Sequence, residues 1–273
     1  MDERAYRAVA HGRHGRCDIV KKDYFISPDH SHGHSLETLN LLYEYDDFME
    51  SIRTMADMGC GQGYDLEWWA TRTTRDEAKK PLNIKCWGVD RADNLPMARR
   101  YANLYYQCQD FETNFLPQKR KFDVVWCHDS FQYAINPLAT LKSWHGLMSK
   151  DAMLGLILPQ STNIEYRQQA YDQRDLCYFN WTMVSLIHAL AVSGFDCAGG
   201  FFKKMPDDPW LHAIVYRSDT GPQEPSTTSW YQLAELNLLP QTAVHSINKH
   251  GYVRQRDLVL PWLDKSLMSF AQH

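Results

Sequence analysis

Asp57-Met58-Gly59-Cys60-Gly61-Gln62-Gly63 is the segment whose residue types and spacing point most clearly to chemistry. Glycines let a chain turn sharply and approach a ligand closely, and exposed backbone N–H groups at a helix start suit an anionic group. Loops that cradle a dinucleotide pyrophosphate space their glycines as Gly-x-Gly-x-x-Gly. Here the spacing is Gly-x-Gly-x-Gly, and Asp57 stands two residues ahead of the first glycine. A carboxylate there repels a phosphate and attracts a cationic amino-acid headgroup. S-adenosylmethionine, with an ammonium and a sulfonium, is such a ligand; an ordinary strand-to-helix turn is the plainer alternative.

Three later segments fit the same ligand. Asp90 closes Trp87-Gly88-Val89-Asp90, where a carboxylate can accept hydrogen bonds from both ribose hydroxyls or simply cap the next helix. Asp110 and Phe111 offer an acceptor and an apolar face to an adenine, with a turn aspartate as the competing reading. Cys127-His128-Asp129-Ser130 follows a dense apolar run and opens a polar loop. In open α/β sheets the ligand crevice lies at that end of the strands. His128 is the candidate general base, because an imidazole titrates near neutral pH, and Asp129 is the candidate partner that orients it or the substrate. A loop histidine that merely packs or caps competes with this role.

The elements that must position these residues alternate. Apolar spacing predicts a helix over 35–52 with Ser35 as N-cap, a buried strand over 54–58 and a helix over 64–71 carrying Trp68 and Trp69, which read as core. Strands over 84–89, 105–108, 122–127 and 153–158 are interleaved with helices over 97–104, 137–148 and 181–193. Two strands, 195–202 and 211–217, then form a hairpin. This order predicts an α/β fold: a doubly wound, mostly parallel seven-stranded sheet ending in an antiparallel hairpin. A nicotinamide oxidoreductase, which joins its last strands through helices, fits less well.

Around that domain (35–217) lie a polar, histidine-rich N-terminal arm (1–34) and a linker with a C-terminal appendage (218–273). The arm holds His30, His32 and His34 at alternate positions, a pattern open to a divalent metal, a solvated loop or a lid over substrate; no metal site is assigned. The appendage could pack on the sheet, on a partner subunit or over the site.

These segments, in this order and with the terminal hairpin, resemble class I S-adenosylmethionine-dependent methyltransferases, and most closely the small-molecule group of ubiquinone-biosynthesis and sarcosine-type enzymes. The resemblance spans residues 35–217. It implies that Asp57, Gly59, Gly61 and Gly63 hold the methionine part, Asp90 the ribose, and Asp110 and Phe111 the adenine. It also places Cys127, His128 and Asp129 beside the sulfonium. Two departures stand out: a charged 73–81 segment lengthens the gap between Asp57 and Asp90, and Lys150-Asp151 replaces a glycine pair ahead of the fifth strand.

Bulk properties narrow the partners. Of the 273 residues 44% are hydrophobic and 23% charged, enough to bury a core, and the net charge of −4 gives no basic field for nucleic acid. The loop after the fourth strand carries neither the Asn/Asp-Pro-Pro-aromatic run of base amino methylases nor the Pro-Cys pair of cytosine methylases. Both observations favour a small-molecule acceptor. RNA ribose or protein acceptors, and a catalytically silent binding or assembly role, stay open. Seven scattered cysteines without a Cys-x-x-Cys pair argue against a disulfide framework and suggest a reducing compartment. With no basic start followed by an apolar run and no stretch long enough to span a bilayer, the expectation is a soluble cytoplasmic protein.

Overall fold

The computed structural model describes residues 33–45, 47–91, 101–112, 120–160, 179–204, 210–263 and 269–270. Along the chain the main elements are α1 (Ser35–Tyr45), β1 (Thr54–Met58), α2 (Tyr64–Ala70), β2 (Lys85–Asp90), β3 (Leu104–Cys108) and β4 (Phe122–His128). They continue with α3 (Pro137–Leu147), β5 (Met148–Pro159), α4 (Met183–Val192), β6 (Phe195–Lys203) and β7 (Trp210–Arg217). The last are α5 (Trp230–Glu235), α6 (Gln241–His250), and the short pair β8 (Val259–Leu260) and β9 (Ser269–Phe270).

Seven strands form one sheet in the order β3-β2-β1-β4-β5-β7-β6. The first five run parallel, while β7 pairs antiparallel with both β5 and β6. The order reverses between β1 and β4, so a crevice opens at their C-terminal ends, where the glycine loop and the His128 loop begin. The mostly parallel sheet with its terminal antiparallel pair is the architecture expected from the alternation of elements.

Both faces are covered, which is why the central strands read as continuous apolar runs. On one face Val124, Trp126, Met153, Ile157 and Ile214 pack with Leu39 and Leu42 of α1 and with Trp68 and Trp69 of α2. On the other, Val125, Cys127, Leu154 and Leu156 pack with Leu141 and Trp144 of α3 and with Leu186 and Leu190 of α4. Trp68 and Trp69 are buried, as expected of core residues.

Local departures from the expected boundaries have physical causes. The first helix stops at Tyr45 and gives way to a 3-10 turn at Asp47–Ser51. The fifth strand starts earlier than its apolar run, at Met148, because Phe122 pairs with Met148 while Val124 pairs with Met153. The surplus residues form a bulge that contains Lys150-Asp151, with Asp151 left-handed at φ 59°. Aspartate tolerates that conformation better than most residues, so it can stand where a glycine was expected. The charged 73–81 segment is a short excursion closed by a Thr73–Pro81 bridge. Most of the helix expected over 97–104 lies outside the described residues; Leu104 itself opens β3.

The C-terminal appendage packs on the sheet domain. Leu233, Leu238, Leu239, Ala243 and Ile247 join the core against α4 and β6, and Trp262 joins the opposite cluster. The backbone N–H groups of Cys197 and Phe202 donate to Leu238 and Pro261 at 3.1 and 2.8 Å, so the appendage also covers the outer edge of β6. Cys60, Cys86, Cys127 and Cys197 are free thiols.

Candidate active site

The glycine loop is built by backbone conformation. Gly59, Gly61 and Gly63 all sit at positive φ, between 50° and 80°. At Gly59 the restriction is also spatial: a Cβ would lie 2.2 Å from Ser130 Oγ. That closeness is used, because Ser130 Oγ donates to the Gly59 carbonyl at 2.9 Å and ties the loop after β4 to the loop after β1. A Cβ on Gly61 would meet no atom within 4 Å, so its backbone faces open space.

Asp57 is 2% exposed. Burial pushes its carboxyl well above the ordinary value, and the nearby carboxylates of Asp65 and Asp90 push the same way. Asp90 ends β2 on the neighbouring strand, and its Oδ2 accepts from the Gly61 N–H at 2.8 Å. One carboxylate has about four acceptor sites, so Asp90 can brace the loop and still receive a hydroxyl. A buried acidic hollow beside an open glycine backbone fits a ligand whose headgroup is cationic.

Asp110 and Phe111 follow β3. The Asp110 carboxylate pairs with Arg91 and accepts from the Glu112 N–H. Phe111 packs edge-on against Trp144 and comes within 3.7 Å of where a Cβ on Gly59 would stand. Phe111 therefore lies close to the glycine loop, while the Asp110 carboxylate is engaged by Arg91 and Glu112.

The loop after β4 separates the three residues expected beside the sulfonium. The Cys127 side chain is fully buried in the α3/α4 core, so the thiol lies beneath the loop and only its backbone is near the surface. Asp129 is left-handed at φ 51°, and its Oδ1 accepts from Gln132 Nε2 at 2.7 Å. His128 points to the α1 face. Its Nδ1 lies 3.4 Å from Oδ2 of Asp65 on α2, and its side chain keeps 20% exposure. Burial lowers the imidazole pKa, but the Asp65 carboxylate and, more weakly, Asp129 outweigh burial and leave it raised.

Sequence reasoning missed Asp65. Its Oδ1 accepts from Ser35 Oγ at 2.7 Å, and its Oδ2 from Trp126 Nε1 at 2.9 Å. Ser35, expected as an N-cap, spends its hydroxyl on this carboxylate. The available signal was a carboxylate in the buried stripe of α2, beside Leu66, Trp68 and Trp69. Trp210 was missed as well: it stacks on His34 with centroids 4.1 Å apart and meets the His128 ring at 6.1 Å. His34 thus reaches the site, while His30 and His32 lie outside the described residues. Among the described residues there is no cluster of three or more His, Cys, Asp or Glu that could hold a metal.

Comparison with known proteins bears on the fold and the family. Residues 56–156 match the family described as a methyltransferase domain. No curated protein matches the sequence. Among solved structures, the putative methyltransferase in a complex with the Haloferax volcanii Trm112 methyltransferase activator is 14% identical, with a TM-score of 0.50 over 66% of this chain and 91% of that one. The plantazolicin methyltransferase BamL, solved with a triazolic desmethyl analogue and S-adenosylhomocysteine, is also 14% identical, with a TM-score of 0.50 over 68% and 86%. Identities this low speak for the fold and do not single out the ubiquinone-biosynthesis or sarcosine-type branch. Over residues 56–156 the family match and the sheet order agree on a methyltransferase domain.

Proposed function

We propose that the chain transfers the methyl group of S-adenosylmethionine to a small-molecule acceptor held between the glycine loop and His128. Asp57, Gly59, Gly61 and Gly63 would hold the methionine part, Asp90 the ribose, and Asp110 and Phe111 the adenine. The loop of Cys127, His128 and Asp129 would lie beside the sulfonium, with His128 as general base. The observation that carries this reading is the buried Asp57 carboxyl next to two further carboxylates. An ammonium placed there would offset the repulsion and restore the ionised form.

Methyl transfer needs little covalent help: alignment of nucleophile and methyl supplies most of the effect, and a base serves only where the nucleophile holds a proton. The acidic net charge supports an acceptor other than nucleic acid. No helix among the described residues is long and apolar enough to cross a membrane. The test is transfer of labelled methyl from S-adenosylmethionine into an extract, followed by size separation. Label in the low-mass fraction supports the proposal, and label confined to protein or RNA contradicts the acceptor class.

A further inference from the structure

The loop after β3 is held by a residue that the sequence motifs pass over. Glu112 reaches from that loop to the start of α3. Its Oε1 accepts from the Ile135 N–H at 2.9 Å, and its Oε2 from the Asn136 N–H at 3.1 Å and from Thr140 Oγ1 at 3.3 Å. Carboxylate oxygens at a helix start are favoured by the helix dipole as well as by these bonds. Yet α3 is capped without them. Asn136 Oδ1 accepts from the Ala139 N–H, and Pro137 at the first helical position has no N–H to satisfy. What the Glu112 bonds fix is therefore the loop. Phe111 is held to the same helix, its carbonyl accepting from Trp144 Nε1 at 3.1 Å and its ring packing against the Trp144 indole. Asp110 is held in turn by Glu112, whose own N–H donates to Asp110 Oδ1 at 3.0 Å.

We infer that Glu112 is the positioning residue for the base of the cofactor. By tying the loop after β3 to α3 it sets Asp110 and Phe111, and with them the preference for adenine over a base without the amino group. This rests on the methyl-transfer reading above. A carboxylate accepts from the amino group of adenine but meets the oxo group of hypoxanthine as acceptor against acceptor. A site built around such a bond rejects the analogue that lacks it, provided its own groups are held in place. Asp110 keeps capacity for that bond beside those from Arg91 and Glu112, since a carboxylate has about four acceptor sites. The Phe111 ring depends on the same tie, and it comes within 3.7 Å of the Cβ position of Gly59. The α3 start also follows the loop of Ser130, whose Oγ donates to the Gly59 carbonyl, so the loops after β1, β3 and β4 brace one another. Such coupling is reciprocal: if the tie favours adenine, adenine strengthens the tie by the same factor.

The test uses the full chain with S-adenosylhomocysteine and S-inosylhomocysteine, which differ only at that position of the base. Calorimetry on the wild type should show the adenine ligand binding about 10- to 100-fold more tightly. In Glu112→Gln one of the two backbone bonds is lost, because an amide NH2 faces an N–H. The preference should then shrink to about threefold or less, chiefly through weaker S-adenosylhomocysteine. Asn136→Ala is the control for damage to the helix alone, since it removes the cap and keeps the backbone N–H that Glu112 uses. It should lower the melting temperature and leave the preference as in the wild type. If Glu112→Gln fails to fold, hydrogen exchange on the wild type still decides. The Ile135 and Asn136 amides should exchange several-fold more slowly with saturating S-adenosylhomocysteine than with saturating S-inosylhomocysteine. A wild type without preference, an unchanged preference in Glu112→Gln, an equal loss in Asn136→Ala, or equal protection by the two ligands would overturn the inference. Failure of the wild type to bind either ligand would instead sink the methyl-transfer reading.

Discussion

The two ends of the crevice are built by different means. At the proposed cofactor end, backbone does the work: three left-handed glycines and two strand-end carboxylates would face a ligand that brings the missing positive charge. At the proposed acceptor end, side chains from α1, α2, β4 and β7 converge around one imidazole, and Asp65 is held by Ser35 and Trp126. One end is thus strained electrostatically until a ligand arrives, while the other is organised in advance. The contrast says that ligand binding should stabilise the first end and that mutation of the second should alter rate more than affinity.

The largest effect is expected at Asp57. In Asp57→Asn, calorimetry should show a loss of about 100-fold or more in S-adenosylhomocysteine affinity, the cost of leaving a buried ammonium without its partner. The same variant should make the ligand-free protein more stable. Because the folded pKa of Asp57 is raised, its ionisation costs stability as pH rises through that value, and the cost is absent below the unfolded value. The variant should therefore melt about 2–4 °C higher at neutral pH, with the gain vanishing in acid, as thermal scans at two pH values would show. An equal or lower melting temperature at neutral pH would remove the electrostatic difference between the two ends.

Next in size is His128→Ala. Turnover should fall about 100-fold while S-adenosylhomocysteine affinity changes less than about twofold, as steady-state kinetics beside calorimetry would read. Equal turnover would take the base away from this end. Smallest is Asp90→Ala, expected to weaken S-adenosylhomocysteine about 10- to 30-fold with the fold retained, the size of hydrogen bonds to one charged group. Unchanged affinity would restrict Asp90 to bracing Gly61.

That contrast also explains which parts were legible in the sequence. The cofactor end lies in short local segments, so Asp57, the glycines and Asp90 could be read from spacing and from their place at strand ends. The sheet was legible for the same reason: buried parallel strands announce themselves as apolar runs between glycine and polar turns. The acceptor end depends on pairs far apart in the chain, Ser35 with Asp65 and Asp65 with His128, and no local period encodes them. Asp129 was the natural neighbour of His128 in sequence, yet strand geometry turns the stronger contact toward Asp65 on α2. Cys127 shows the alternation at work, since one residue before His128 the side chain points to the opposite face and into the core. The appendage could not be placed in advance because its leucines fit any apolar surface; the edge of β6 proved to be what they cover.

The most direct test of a crevice shaped for a cationic cofactor is a pair of calorimetric titrations of the unmodified protein, one with S-adenosylhomocysteine and one with NAD. Binding of the thioether in the micromolar range or tighter, with no heat from NAD, is the expected result. Tight binding of NAD with none of the thioether would contradict it.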